Sequence, residues 1–224
     1  MPYETRDLTG FANWEEVKAS NPLGRIPAMI LDDGKALVDS AAIVDHLDEV
    51  YGRERALMPP SGADRRAVQR LASSMMGACD KGLHAAYERN HHPPEKVHLP
   101  WINECTMRMK NALKAVDALA EPGRYLLLDR LTYADVTAFI AERLARAGLG
   151  VDTDAEMPRP RALTKRLCAL PAFAKTEPWS SGLRASGSQS GRNQNASAGI
   201  AISDAAPALI WWLSDTVCGS TRVT

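Results

Sequence analysis

Two runs of helical periodicity separated by a proline pair constrain this chain more than any other feature. Val68, Leu71, Met75, Cys79, Leu83 and Tyr87 recur at steps of three and four residues, and Trp101, Cys105, Met109, Leu113 and Val116 do so again beyond the "HHPP" at 91–94. An apolar stripe at that spacing lies on one face of a helix and has to be covered, so two long helices packed on each other are predicted. A third helix is expected from Thr132, where "LTYADV" sets Thr132 and Asp135 at the spacing of a reciprocal capping pair and Leu131 and Val136 at that of a hydrophobic staple. Gly148 and Gly150 supply its stop. A last helical segment is predicted over about 161–170.

The first 51 residues read differently. "PYETRDL" suits an extended segment, and Trp14 and Val17 share one face of a short helix. "AMIL" and "KALV" flank "DDG", whose Gly34 is free to take a positive φ, so a hairpin is predicted. Ile43, Val44, Leu47 and Tyr51 then return to helical spacing, with Asp39 or Ser40 as the N-cap. The expected order is β, α, β, β, α, followed by helices alone.

Bulk properties exclude several functions. With 27 basic and 27 acidic side chains, no overall field draws the chain to nucleic acid or an anionic membrane. "MPYETRDLTG" lacks the charged and apolar pattern of a signal peptide, so a cytoplasmic location is expected. Cys79, Cys105, Cys168 and Cys218 lie far apart, which argues against both a disulfide framework and a zinc site. From Ser180 to Gly199, fourteen of twenty residues are Ser, Gly, Asn or Gln, a composition that cannot bury enough apolar surface to offset ordering. The segment 180–224 is therefore expected to be a disordered tail, and its patch at Trp211 and Trp212 is too short to span a bilayer.

A small mixed unit followed by an all-helical one, together with "NPLGRIPA", "DSAAI", "DRLTYADV" and "LPAF", resembles the cytosolic glutathione transferases over about residues 2–179. The resemblance implies an α/β plus all-α chain. A truncated thioredoxin-like, glutathione-binding domain is expected over 1–55, and an all-helical C-terminal domain over 56–179.

The same resemblance assigns a site. Pro27 is cis in such a domain, so that Ile26 offers its backbone N–H and C=O to the cysteinyl part of glutathione in the manner of a short strand pair. Read from the residues alone, Pro27 equally suits a trans proline ahead of an edge strand. Ser40, at the start of a helix, would receive the γ-glutamyl carboxylate, with Asp39 facing the ammonium group. Simple capping is the competing explanation. Arg25 is the candidate for the glycyl carboxylate. Tyr87 and Trp101 suit either core packing or a pocket for an apolar co-substrate. Cys79 and Cys105 read as packing residues, and Thr132 and Asp135 as a structural cap. His91, His92 and His98 have no carboxylate or thiolate at ligand spacing, so no metal is expected.

Glutathione is the implied co-substrate, a small electrophile the second substrate, and a homodimer the implied assembly. In the family the group that activates the thiol follows the first strand. Here "PYETRDL" resembles the second strand, and neither Tyr3 nor Thr5 matches the activating position, so no catalytic residue is assigned. A conjugating enzyme, a non-catalytic binding or assembly module and an inactive truncated family member are the three readings this leaves.

Overall fold

A computed structural model of the chain describes Glu4, Arg6, Leu8 and residues 13–174. Tyr3, Thr5, Trp179 and the tail 180–224 lie outside the described residues, as does most of the segment expected to be extended. Glu4, Arg6 and Leu8 carry no regular secondary structure.

Helix α1 (Trp14–Ser20) buries Val17 and leaves Trp14 half out. The hairpin follows, with β1 (Ala28–Ile30) antiparallel to β2 (Ala36–Val38) and Met29 opposite Leu37. Its turn closes where Gly34 donates to the Leu31 carbonyl over 2.8 Å, and Gly34 takes φ 81° as a residue without Cβ can. Helix α2 (Ser40–Tyr51) then lies against both strands and buries Ser40, Ile43 and Val44.

Helices α3 (Gly62–His91) and α4 (Leu99–Leu119) pack along their length, joined by a 3-10 turn at Pro94–Lys96. The buried face of α4 runs through Ile102, Cys105, Met109, Leu113 and Val116, so Trp101 does not belong to the core stripe. Both 101 and 102 stand at helical spacing from 105. The smaller side chain turns inward, while the indole remains 38 % exposed beside Lys81 and His84 of α3. Gly82 marks the closest approach in this layer: a Cβ there would come within 2.7 Å of the Met109 sulfur and 2.8 Å of Leu144.

Helix α5 (Tyr133–Arg143) is buried on every side and runs on as a π turn at Leu144–Gly148. A short α6 (Thr153–Glu156) precedes α7 (Pro158–Cys168), and α8 (Pro171–Ala174) closes the described chain with Phe173 set edge-on to Phe139. Helix α7 begins three residues before the expected 161, because Pro158 occupies the first turn, where its missing N–H costs nothing. One apolar core runs from Val44 of α2 to Phe173. The architecture is a small α/β unit followed by a helical domain.

Candidate functional site

The loop "NPLGR" is organised by Asn21, which is buried. Its side-chain amide donates to the Arg25 carbonyl over 2.9 Å, and its side-chain oxygen accepts from the Leu23 N–H over 3.1 Å. Gly24 sits beneath the Trp14 ring at φ 63°, and an added Cβ would overlap that ring at 1.9 Å. These constraints deliver the chain to the cis peptide between Ile26 and Pro27.

Beyond the last strand pair, Ala28 with Val38, the same register sets Pro27 opposite Asp39, the residue after which Ser40 opens α2. The Asp39 N–H donates to the Pro27 carbonyl over 3.2 Å and so extends the ladder by one bond. Among the described residues, Ile26 makes no backbone hydrogen bond. Asp39 is the N-cap of α2, with φ 74° and no capping bond from its own carboxylate. A non-glycine residue at such a φ is strained by about 1–3 kcal/mol, and strain of this kind collects at ligand-binding positions. The α2 N-terminus keeps its first-turn N–H groups, those of Ala41 and Ala42 included, directed away from the helix body. Ser40 is 1 % exposed and its hydroxyl donates to Asp39 Oδ1 over 3.3 Å. Arg25 is half exposed, with Nη2 3.7 Å from Asp80 Oδ1 on α3. Ile26, Pro27, Asp39 and Ser40 are thus adjacent, while Arg25 stands to one side against the helical domain.

A cleft of about 320 Å³ opens between α2 and α3 next to this corner, lined by Ala41, Ala42, Asp45, Arg65, Gln69 and Tyr133 among others. Arg65 spans it, 3.3 Å from Asp45 Oδ1. Tyr87 and Trp101 are not part of its lining. The segment 56–58 passes behind it, held from both sides. Asp48 of α2 accepts from the N–H groups of Leu57 and Met58, each over 2.8 Å, and the Tyr133 N–H donates to the Leu57 carbonyl over 3.0 Å. Burial raises the Asp48 pKa, and the two N–H bonds oppose that rise.

Thr132 and Asp135 form a full capping box. Asp135 Oδ2 accepts from the Thr132 N–H and hydroxyl over 2.9 and 2.8 Å, and Oδ1 accepts from the Leu126 N–H over 2.8 Å. Burial pushes the Asp135 pKa up against these bonds. Cys79 and Cys105 are inaccessible and burial pushes both thiols up, so neither offers a thiolate near neutral pH. Glu88 accepts from the His98 N–H over 2.9 Å and lies 3.1 Å from His92 Nδ1. Among the described residues, no group of three His, Cys, Asp or Glu side chains is arranged to hold a metal ion, and no helix is long and apolar enough to cross a membrane.

Residues 1–55 match the family model for the glutathione S-transferase N-terminal domain. Maleylacetoacetate isomerase from Pseudomonas aeruginosa is 33% identical over 165 residues, covering 71% of this chain and 74% of that protein. The chain belongs to the glutathione S-transferase family. Among solved structures of the family, a glutathione S-transferase from Methylobacterium radiotolerans in complex with glutathione sulfonate aligns with a TM-score of 0.70 at 22% identity, covering 84% of this chain and 85% of that one. A member from Pseudomonas fluorescens with bound glutathione aligns at 0.66 and 25% identity, covering 72% and 77%.

The parts played by Asn21, Asp48 and Tyr133 are not among the expectations from the sequence. Asn21 could have been found from the "NP" that opens a turn. Tyr133 acts through Leu57, 76 positions away, and Asp48 through a loop nine and ten residues on, and neither has a local signature.

Proposed function

We propose that the chain binds glutathione along the Ile26 backbone and at the start of α2, and presents the bound thiol to a small electrophile. The observation that carries this reading is the bond from the Asp39 N–H to the Pro27 carbonyl, which brings the start of α2 beside Ile26, whose backbone has no hydrogen bond among the described residues. An extended peptide laid beside Ile26 completes the ladder there. Its carboxylate then meets the α2 N–H groups and the Ser40 hydroxyl, where the helix dipole favours negative charge. Asp39 supplies a counter-charge for the ammonium group, and Arg25 a cation for the far carboxylate.

Bound glutathione supplies a thiol that, as thiolate, adds to an electrophilic carbon. The name of the Pseudomonas aeruginosa relative makes maleylacetoacetate the first electrophile to test. Residues 1–55 as a glutathione-binding domain and 56–179 as a helical domain that shapes the second pocket are part of this proposal, as is a homodimer.

The test is retention on immobilised glutathione, followed by turnover of maleylacetoacetate and of a chromogenic electrophile. Retention that Ser40→Ala weakens, together with turnover, is the expected result. No retention removes the binding reading. Retention without turnover removes the enzymatic one and leaves a binding module.

A further inference from the structure

We infer that Tyr133 is a positioning residue for Ser40: its phenol donates to the Ser40 hydroxyl and frees the serine proton for the γ-glutamyl carboxylate. The inference rests on the glutathione site proposed above and deepens it.

Tyr133 is the first residue of α5, directly after the Thr132 cap, and its N–H is tied to the Leu57 carbonyl. Its ring therefore has a fixed origin in the helical domain. Only 7 % of the residue is exposed, and the phenol oxygen is buried with no hydrogen bond inside ordinary limits. A buried hydroxyl left in that state costs free energy, so it takes a nearby acceptor when one can turn toward it. Tyr133 lines the same cleft as Ala41 and Ala42, and its polar neighbours are Ser40, buried at the start of α2, with Asp39 and Cys79 also near. In the free protein the Ser40 proton points at Asp39, which leaves the serine lone pairs for an incoming donor. Burial pushes the Tyr133 phenol up to about 12, so it keeps its proton and acts as a donor at any working pH.

The two hydroxyls form a chain of donors with one direction. Tyr133 donates to Ser40, and Ser40 donates outward, to Asp39 in the free protein and to a carboxylate when the peptide is bound. Such chains polarise each bond along them. The start of α5 thereby fixes the orientation of a group at the start of α2.

Tyr133→Phe keeps the ring and removes only the donor. Binding is measured on the full chain by calorimetry, with glutathione and with an analogue lacking the γ-glutamyl α-carboxylate. A weakening for glutathione of about five- to tenfold, the worth of one hydrogen bond, is expected, with no change for the analogue. In a Ser40→Ala background the Tyr133→Phe effect is expected to vanish. An unchanged affinity, or equal weakening for both ligands, overturns the inference.

If Ser40→Ala itself leaves glutathione affinity unchanged, the proposed site is wrong. The contact between the two residues is then decided in the unliganded protein by a double-mutant cycle in urea. Non-additive shifts of the midpoint support it, and additive shifts overturn it.

Discussion

The Arg130 guanidinium donates to the Ala56 carbonyl over 2.6 Å, joining residues 74 positions apart. Together with Asp48, which holds the next two N–H groups, it fixes the segment between the hairpin unit and the helical domain. Arg130→Met keeps the aliphatic stem and removes the donor. A loss of about 1.5–3 kcal/mol is expected, as for a hydrogen bond to a charged group. Urea unfolding reads the loss. Faster amide exchange at Leu57 and Met58 would locate it, and unchanged exchange there would show that the contact does not hold the segment.

Asp135 receives three donors on two oxygens while wholly buried. Asp135→Asn leaves one carbonyl oxygen and turns an N–H₂ group toward donors it cannot satisfy. The cost is expected to be about 2–3 kcal/mol, with unsatisfied buried groups added to the loss of a cap. Thr132→Ala, which removes the hydroxyl and the γ-methyl but leaves Asp135 in place, should cost about 1–2 kcal/mol. Thermal unfolding of the two variants checks the order, and a Thr132→Ala loss as large as that of Asp135→Asn contradicts it.

Much of this fold can be read from local spacing. The hairpin is legible because "DDG" sits between two short apolar runs, and α3 because its stripe repeats through six positions. The capping box is legible because its two members are three residues apart. The spacing puts Trp101 on the stripe because a step of three or four admits two starting residues, and packing of α4 against α3 buries Ile102 instead. The candidate site divides in the same way. Ile26, Pro27, Asp39 and Ser40 lie within one motif and its echo, and Asp48 reaches only nine and ten residues on, whereas Arg130 and Tyr133 work through segments more than 70 positions away. Their partners are set by tertiary packing, which no window of sequence contains.

Gly82 lies where α3 meets Met109 of α4 and Leu144 of the π turn. A methyl group at this point forces both side chains to move. Gly82→Ala gains helix propensity of roughly 0.8–1 kcal/mol, yet overpacking of a dense core costs about 1–3 kcal/mol. Net destabilisation is therefore expected. Pairing it with Met109→Ala, which opens space beside the new methyl, should recover part of the loss relative to the sum of the single changes. Additive losses would mean that the methyl finds room without Met109.

Asp154 carries the acid sensitivity of the α6 and α7 region. Hydrogen bonds from Lys165, at 2.8 Å, and from Arg146 hold its carboxyl down to about 2, against an ordinary value of 3.8. Because the native pKa lies below the unfolded one, the native state binds fewer protons in this window, so stability rises with pH across it. The contribution is complete above about pH 4 and is lost as pH falls through 2. The group is partly open to solvent, so salt screens the contribution. Asp154→Asn is expected to flatten stability between pH 4 and pH 2 relative to the parent chain, with the difference shrinking in high salt. Parallel stability curves for the two proteins across that range would show that Lys165 and Arg146 do not hold the charge.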